Sequence, residues 1–168
     1  MKHRLTLAER LDQSWRVWTD ALDGLDDADF ERAVYRQWNL KDIVGHVFSY
    51  MDLAVRHLES YKKRKRLASP RAPSYAYFNR REAERLRRVP LVRLRADMDA
   101  THRKLVELLP TLTGEDLRRV FPAQWRNSAY HTTLRSMLRE NAEHMTIHAL
   151  DIENWRKREH INSESQTE

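Results

Sequence analysis

The stretch HMTIHALDI, residues 144–152, places two histidines four positions apart and an aspartate three after the second. On a helix, residues i and i+4 are neighbours on one face. The imidazoles of His144 and His148 can then reach one metal ion together. Asn141 lies one turn earlier on the same side. Asp151 is near enough to hold an imidazole in place, because a ligating histidine usually gives its other N–H to a carboxylate or carbonyl. A third ligand has to come from elsewhere in the chain. His46, His57 and His102 are candidates, and spacing alone does not choose among them. Glu140, Glu143, Asp151 and Tyr50 are candidate proton acceptors on the same ground of proximity. The competing reading is packing: eight histidines in 168 residues readily give an i,i+4 pair by chance.

These residues need helices to position them, and the composition supplies them. Three glycines and five prolines are few for an all-β chain, and 33% of residues are charged, with Leu, Arg, Glu and Ala prominent. That is a helix-forming composition. Leu7, Leu11, Trp15, Trp18 and Leu22 recur at helical spacing and predict a first helix from about Thr6 to Asp23, stopped by Gly24. Residues 26–33 read as a short helical turn. Asn39 caps a second helix, with Asp42 in its first turn. Its seam is Leu40, Val44, Val47, Met51, Ala54 and Leu58, and it ends near residues 61–63.

Residues 64–89 read as a long crossover with a short helix over 80–88. Pro90 suits the start of a third long helix. That helix follows Leu91, Leu94, Met98, Leu105 and Leu108, with Thr101 in the gap, and ends at Pro110. Thr113 and Asp116 mark a further short helix. The last helix spans about 133–157, with Met137, Asn141, His144, His148, Ile152 and Trp155 as its seam. Both histidines are thus expected inside the seam, where buried polar groups need partners. Four long amphipathic helices with long connections make an all-α four-helix bundle. It forms one domain over residues 1–160, followed by a disordered polar tail over 161–168.

Several classes fall away. The chain has no cysteine, which excludes disulfides, thiolate metal sites and a cysteine nucleophile. The first fifteen residues contain no apolar run of signal-peptide type, and no stretch of 18 apolar residues suggests a membrane span. A cytoplasmic setting is expected. The net charge of +6 is local: residues 61–95 hold thirteen Lys/Arg and two Glu, a balance of +11, leaving −5 elsewhere. With Tyr61, Tyr75, Tyr77 and Phe78 interleaved, this segment could serve nucleic acid. No nucleic-acid motif accompanies it, and a solvated surface, or steering of an anionic substrate, is the expected role.

The motifs resemble a known family. WNLKDIVGHV, residues 38–47, is similar to the Trp, gap, Asp, His pattern on the second helix of DinB/YfiT-like proteins. HMTIHALDIENWR, residues 144–156, is similar to the His-x3-His pattern of their final helix. YFN, VPLVRLRADMDATHRKL and GEDL resemble the ClbS/DfsB-like subgroup. The resemblance implies a four-helix bundle with a divalent metal held by His46, His144 and His148, and it selects His46 over His57 and His102.

Three histidines leave an open coordination position, as in catalytic sites, where a water of lowered pKa or a thiolate can react. The resemblance implies a metal-dependent transferase or hydrolase acting on a small molecule, with a low-molecular-weight thiol as cosubstrate. Its alternatives are a non-catalytic metal- or ligand-binding bundle and a basic nucleic-acid-binding protein. Imidazole accepts zinc, nickel, copper and iron alike. Tyr50, and Trp125 and Tyr130 in the loop before the last helix, are the expected pocket residues. The SYAYFN stretch is expected to pin the crossover to the bundle, with a pocket wall as its other reading. A homodimer is expected.

Overall fold

The computed structural model describes residues 6–35, 37–69, 72–122 and 131–164, with side chains up to residue 159. The first helix, α1, spans Leu7–Leu22. Thr6 and Glu9 close a capping box at its start, and each satisfies a backbone N–H that the first turn would leave orphaned. Gly24, at φ +73°, turns the chain out at its end, in the left-handed region that glycine enters without strain. Arg156 donates to the carbonyl oxygens of Ala21 and Asp23 at 3.0 and 2.9 Å, so the last helix caps the first.

The expected helical turn over 26–33 is only partly helical. A 3-10 turn over Asp29–Glu31 leads into a small hairpin. Its strands, β1 (Ala33–Tyr35) and β2 (Trp38–Asn39), pair antiparallel. Strands this short have no room for an alternating pattern, so the sequence carried no signal of them.

Helix α2 spans Leu40–Arg64 behind a capping box of Asn39 and Asp42. All six residues of its expected seam are 5% exposed or less. The crossover holds α3, Tyr75–Leu86, capped by Ser74. The expected helix over 80–88 therefore begins five residues too late, and Tyr75, Phe78 and Asn79 belong to it. The prolines just upstream masked the cap. Gly45 of α2 matters here: a Cβ there would lie 3.2 Å from Leu86 Cβ, so the missing side chain lets α3 lie close on α2 beside His46.

Helix α4 spans Leu91–Leu108, and α5, Gly114–Arg118, has a capping box of Thr113 and Asp116. The gap in the α4 seam is filled by His102, 8% exposed, and not by Thr101. Strands β3 (Val120–Phe121) and β4 (Thr132–Thr133) pair antiparallel and deliver the chain to α6, Leu134–Glu164. Of the disordered tail expected over 161–168, the first four residues are backbone helix, continuing α6 to Glu164, and residues 165–168 lie outside the described residues.

The bundle is α1, α2, α4 and α6. Helix α1 packs along α6, α2 against both α4 and α6, and α3 on α2. One continuous core joins them. Trp18, Phe30, Leu40, Leu58, Leu94 and Leu134 are each 1% exposed or less, and burial of a side chain of this size contributes about 1.5–3 kcal/mol. No described helix is long and apolar enough to cross a membrane.

Candidate metal centre

The apolar seam of α6 is Leu134, Leu138, Ala142, Met145, Ala149, Ile152 and Trp155, each 4% exposed or less. His144 and His148 are half-buried. They flank this seam, one residue to the side of Met145 and Ala149, and do not lie inside it as their spacing suggested. On a helix this long, two small alanines in the true seam leave the histidine stripe looking equally continuous. The displacement has a chemical consequence. The imidazoles point off the dry core towards His46, which flanks the α2 seam in the same way.

The three rings converge on their Nε2 atoms. His144 Nε2 lies 2.9 Å from His46 Nε2 and 3.1 Å from His148 Nε2, and one ligand atom from each residue lies within 4.8 Å of the others. Three ligands at metal distances of about 2.0–2.1 Å would sit roughly 3.3 Å apart in a tetrahedral site. On the outer side, His148 Nδ1 faces Asp151 Oδ2 at 3.1 Å. That carboxylate holds the His148 proton on Nδ1 and leaves the Nε2 lone pair aimed inward.

A proton on His144 Nε2 could point at only one of its two neighbours. At least one close nitrogen pair then has no hydrogen between its atoms. Extra protons do not resolve this. Burial, then the charges of His144 and His148, depress His46 to about 3. Burial and His148 depress His144 to about 4. Burial also lowers His148, against the pull of Asp151. All three are neutral at pH 7, so three lone pairs are available, and the residues fit a divalent cation.

The surrounding side chains fix the rings. Trp38 of β2 tilts against His46, with centroids 4.8 Å apart. Tyr50 stands edge-on to both His46 and His144, at 5.1 and 5.0 Å. Its hydroxyl donates to Asn79 Oδ1 at 2.8 Å, and its ring meets Phe78 at 5.2 Å. The SYAYFN stretch thus pins α3 to the bundle through the residue that lines the imidazoles. Burial, then the nearby Tyr75, raises the Tyr50 hydroxyl well above the ordinary phenol range, so Tyr50 is a neutral hydroxyl. Tyr35 of β1 borders Asp151; burial, then that carboxylate, raises it likewise. The hairpin therefore supports the centre from both helices, through Trp38 and Tyr35. Neither was a candidate site residue from sequence, and Trp38 was visible only as part of a motif.

The other candidates separate from the centre. Asn141 is 7% exposed, and among the described residues its Oδ1 has no hydrogen-bond partner and no hydrogen bond joins it to the imidazoles. His57 is buried in α2, and His102 stacks on Trp15 with centroids 4.0 Å apart. Glu143 is exposed and faces Arg139 at 3.5 Å, away from the centre. Trp125 and Tyr130 fall outside the described residues.

Comparison with solved structures places the fold. A mycothiol-dependent maleylpyruvate isomerase superposes with a TM-score of 0.68 at 16% identity, over 88% of this chain and 61% of that one. The chain thus spans about three-fifths of that enzyme's length. The structure described as Sibling Lethal Factor Precursor – DfsB gives 0.73 at 16% identity, over 91% of this chain and 94% of that one. An uncharacterised protein from Clostridium difficile 630 gives 0.74 at 9% identity, over 92% and 98%. No functionally curated protein matches the sequence. Residues 7–152 match the DinB superfamily, and with its bundle and its His46–His144–His148 cluster, the chain belongs to that superfamily.

Proposed function

We propose that this protein is a divalent-metal-dependent enzyme that transfers or hydrolyses a group on a small molecule, with thiol-linked detoxification as its role. The observation that carries this reading is the convergence of three neutral imidazoles from two helices, with no fourth His, Asp or Glu joining them among the described residues. That donor set suits a catalytic ion with an open position better than a closed structural site. Zinc, nickel and iron all accept it.

His46, His144 and His148 hold the ion. A bound divalent ion supplies Lewis acidity, which lowers the pKa of a water or thiol and polarises a carbonyl. Asp151 keeps the His148 proton on Nδ1 and the ring in place. Tyr50, fastened by Asn79, forms the wall beside His46 and His144 and excludes water from that side. Likeness to a mycothiol-dependent isomerase supports a low-molecular-weight thiol as cosubstrate. The enzyme works in the cytoplasm as a homodimer.

The test is turnover by metal-loaded protein against a panel of low-molecular-weight thiols and electrophiles. The expected result is thiol consumption that needs the metal and disappears in His46→Ala. Turnover equal in His46→Ala, or in metal-free protein, would refute the reading. Metal retained with no turnover on any pair would favour a non-catalytic metal-binding bundle.

A further inference from the structure

The far end of α2 carries a second cluster. Tyr61 lies fifteen residues beyond His46 on the same helix, hence about 22 Å along its axis. Its ring is buried, and its hydroxyl donates to Asp116 Oδ1 at 2.5 Å. Lys65 Nζ lies 4.7 Å from the ring centroid, and the Arg119 guanidinium lies 5.9 Å from it. Tyr61, Lys65, Glu115, Asp116, Arg118 and Arg119 line an open recess of about 440 Å³.

Three cations, Lys65, Arg118 and Arg119, face two carboxylates, Glu115 and Asp116, in this recess, a balance of +1. Asp116 is occupied from within: Oδ2 accepts from the backbone N–H and the hydroxyl of Thr113, both at 2.9 Å. Its Oδ1 serves Tyr61 and faces Lys65 at 3.8 Å. Arg118 and Arg119 are exposed and make no ion pair among the described residues, and the same holds for Lys62, Lys63, Arg64 and Arg66 at and just after the end of α2. In α3 and the start of α4, Arg81, Arg85 and Arg93 have a carboxylate partner, as does Arg87 just after α3, whereas Arg80 and Arg95 make no ion pair among the described residues and lie over aromatic rings. The α2 dipole accounts for cations at that helix's C-terminus. It does not account for Arg118 and Arg119, which the Thr113 cap and the β3–β4 pairing bring in from another part of the chain.

We propose that this recess is a binding site for the phosphate group of a small anionic molecule, read by Arg118, Arg119 and Lys65. Guanidinium forks suit phosphate oxygens, and lysine adds a point charge. A nucleic-acid strand fits less well. Lys62, Lys63 and Arg64 radiate around the helix at about 100° per residue and form no track. The exposed tyrosines, Tyr75 and Tyr77, lie on α3 and do not line the recess.

The test is calorimetric titration of the full chain with inorganic pyrophosphate at about 100 mM salt, where long-range attraction is screened. The expected result is saturable binding that weakens about tenfold or more in Arg118→Gln/Arg119→Gln. The same binding should be unchanged in His148→Ala and little changed in Lys62→Gln/Lys63→Gln, with circular dichroism confirming that each variant is folded. Absence of saturable binding would overturn the proposal. So would equal loss in the Lys62/Lys63 variant, which would mean bulk charge, or loss in His148→Ala, which would place the anion at the imidazoles. Binding of a single-stranded oligonucleotide without pyrophosphate binding would also overturn it and mark a nucleic-acid surface.

Discussion

His46, His144 and His148 can be set against His57 and His102. All five lie on helices of the bundle, and burial lowers the basicity of every one. The first three flank their seams and meet at their Nε2 atoms. The other two join no such cluster among the described residues. Among the described residues His57 Nδ1 and His102 Nε2 have no hydrogen-bond partner, and His102 spends its ring on Trp15. Burial alone therefore does not distinguish a ligand from a packing residue. Convergence of lone pairs does, together with an outer carboxylate that settles one tautomer.

The contrast is broken most severely at the middle ring. His144→Ala removes the nitrogen shared by both close contacts, and zinc binding by calorimetry should be abolished while the fold persists by circular dichroism. Asp151→Asn keeps the shape and removes the charge behind His148. Zinc affinity should fall about 10–100-fold, with little change in the urea midpoint. His57→Leu is the opposite case. It replaces an imidazole bearing an unpartnered buried nitrogen by an apolar side chain, so zinc binding should be unchanged and the urea midpoint unchanged or raised.

Acid should act on both groups in the metal-free protein. His46, His57 and His144 are held at about 3, 4 and 4 in the fold, against about 6.5 unfolded. Below pH 6.5 the unfolded chain takes up protons that the native state refuses. Stability is therefore full above about pH 6.5 and falls progressively towards pH 4. Urea midpoints at pH 7.5 and pH 5 check this, with the lower value expected at pH 5. At Gly45→Ala the new methyl group meets Leu86 at 3.2 Å. A loss of roughly 1–3 kcal/mol is expected, with α3 pushed from α2 and Tyr50 disturbed through Asn79.

Much of this architecture could be read from residue spacing. The α2 seam was legible because large apolar residues mark it, and the caps at Asn39 and Thr113 were legible because Asp42 and Asp116 follow at the right interval. The α6 seam was misplaced because Ala142 and Ala149 carry it with little hydrophobic weight. The hairpin was missed because its strands are two and three residues long, and with it the support that Trp38 and Tyr35 give the centre. The pair His144 and His148 was visible as a helical i,i+4 repeat. Spacing could not pick His46 from His57 and His102, because all three lie on helices at or beside a seam and only tertiary packing decides which ring faces α6. Family resemblance made that choice, and the structure puts His46 Nε2 beside His144.

The most direct measurement is metal content by mass spectrometry, on untagged protein purified without chelator, wild type beside His148→Ala. About one divalent ion per chain is expected in the wild type and none in the variant. Absence of metal from both, even after reconstitution with zinc, nickel and iron, would contradict it and leave the three imidazoles as packing.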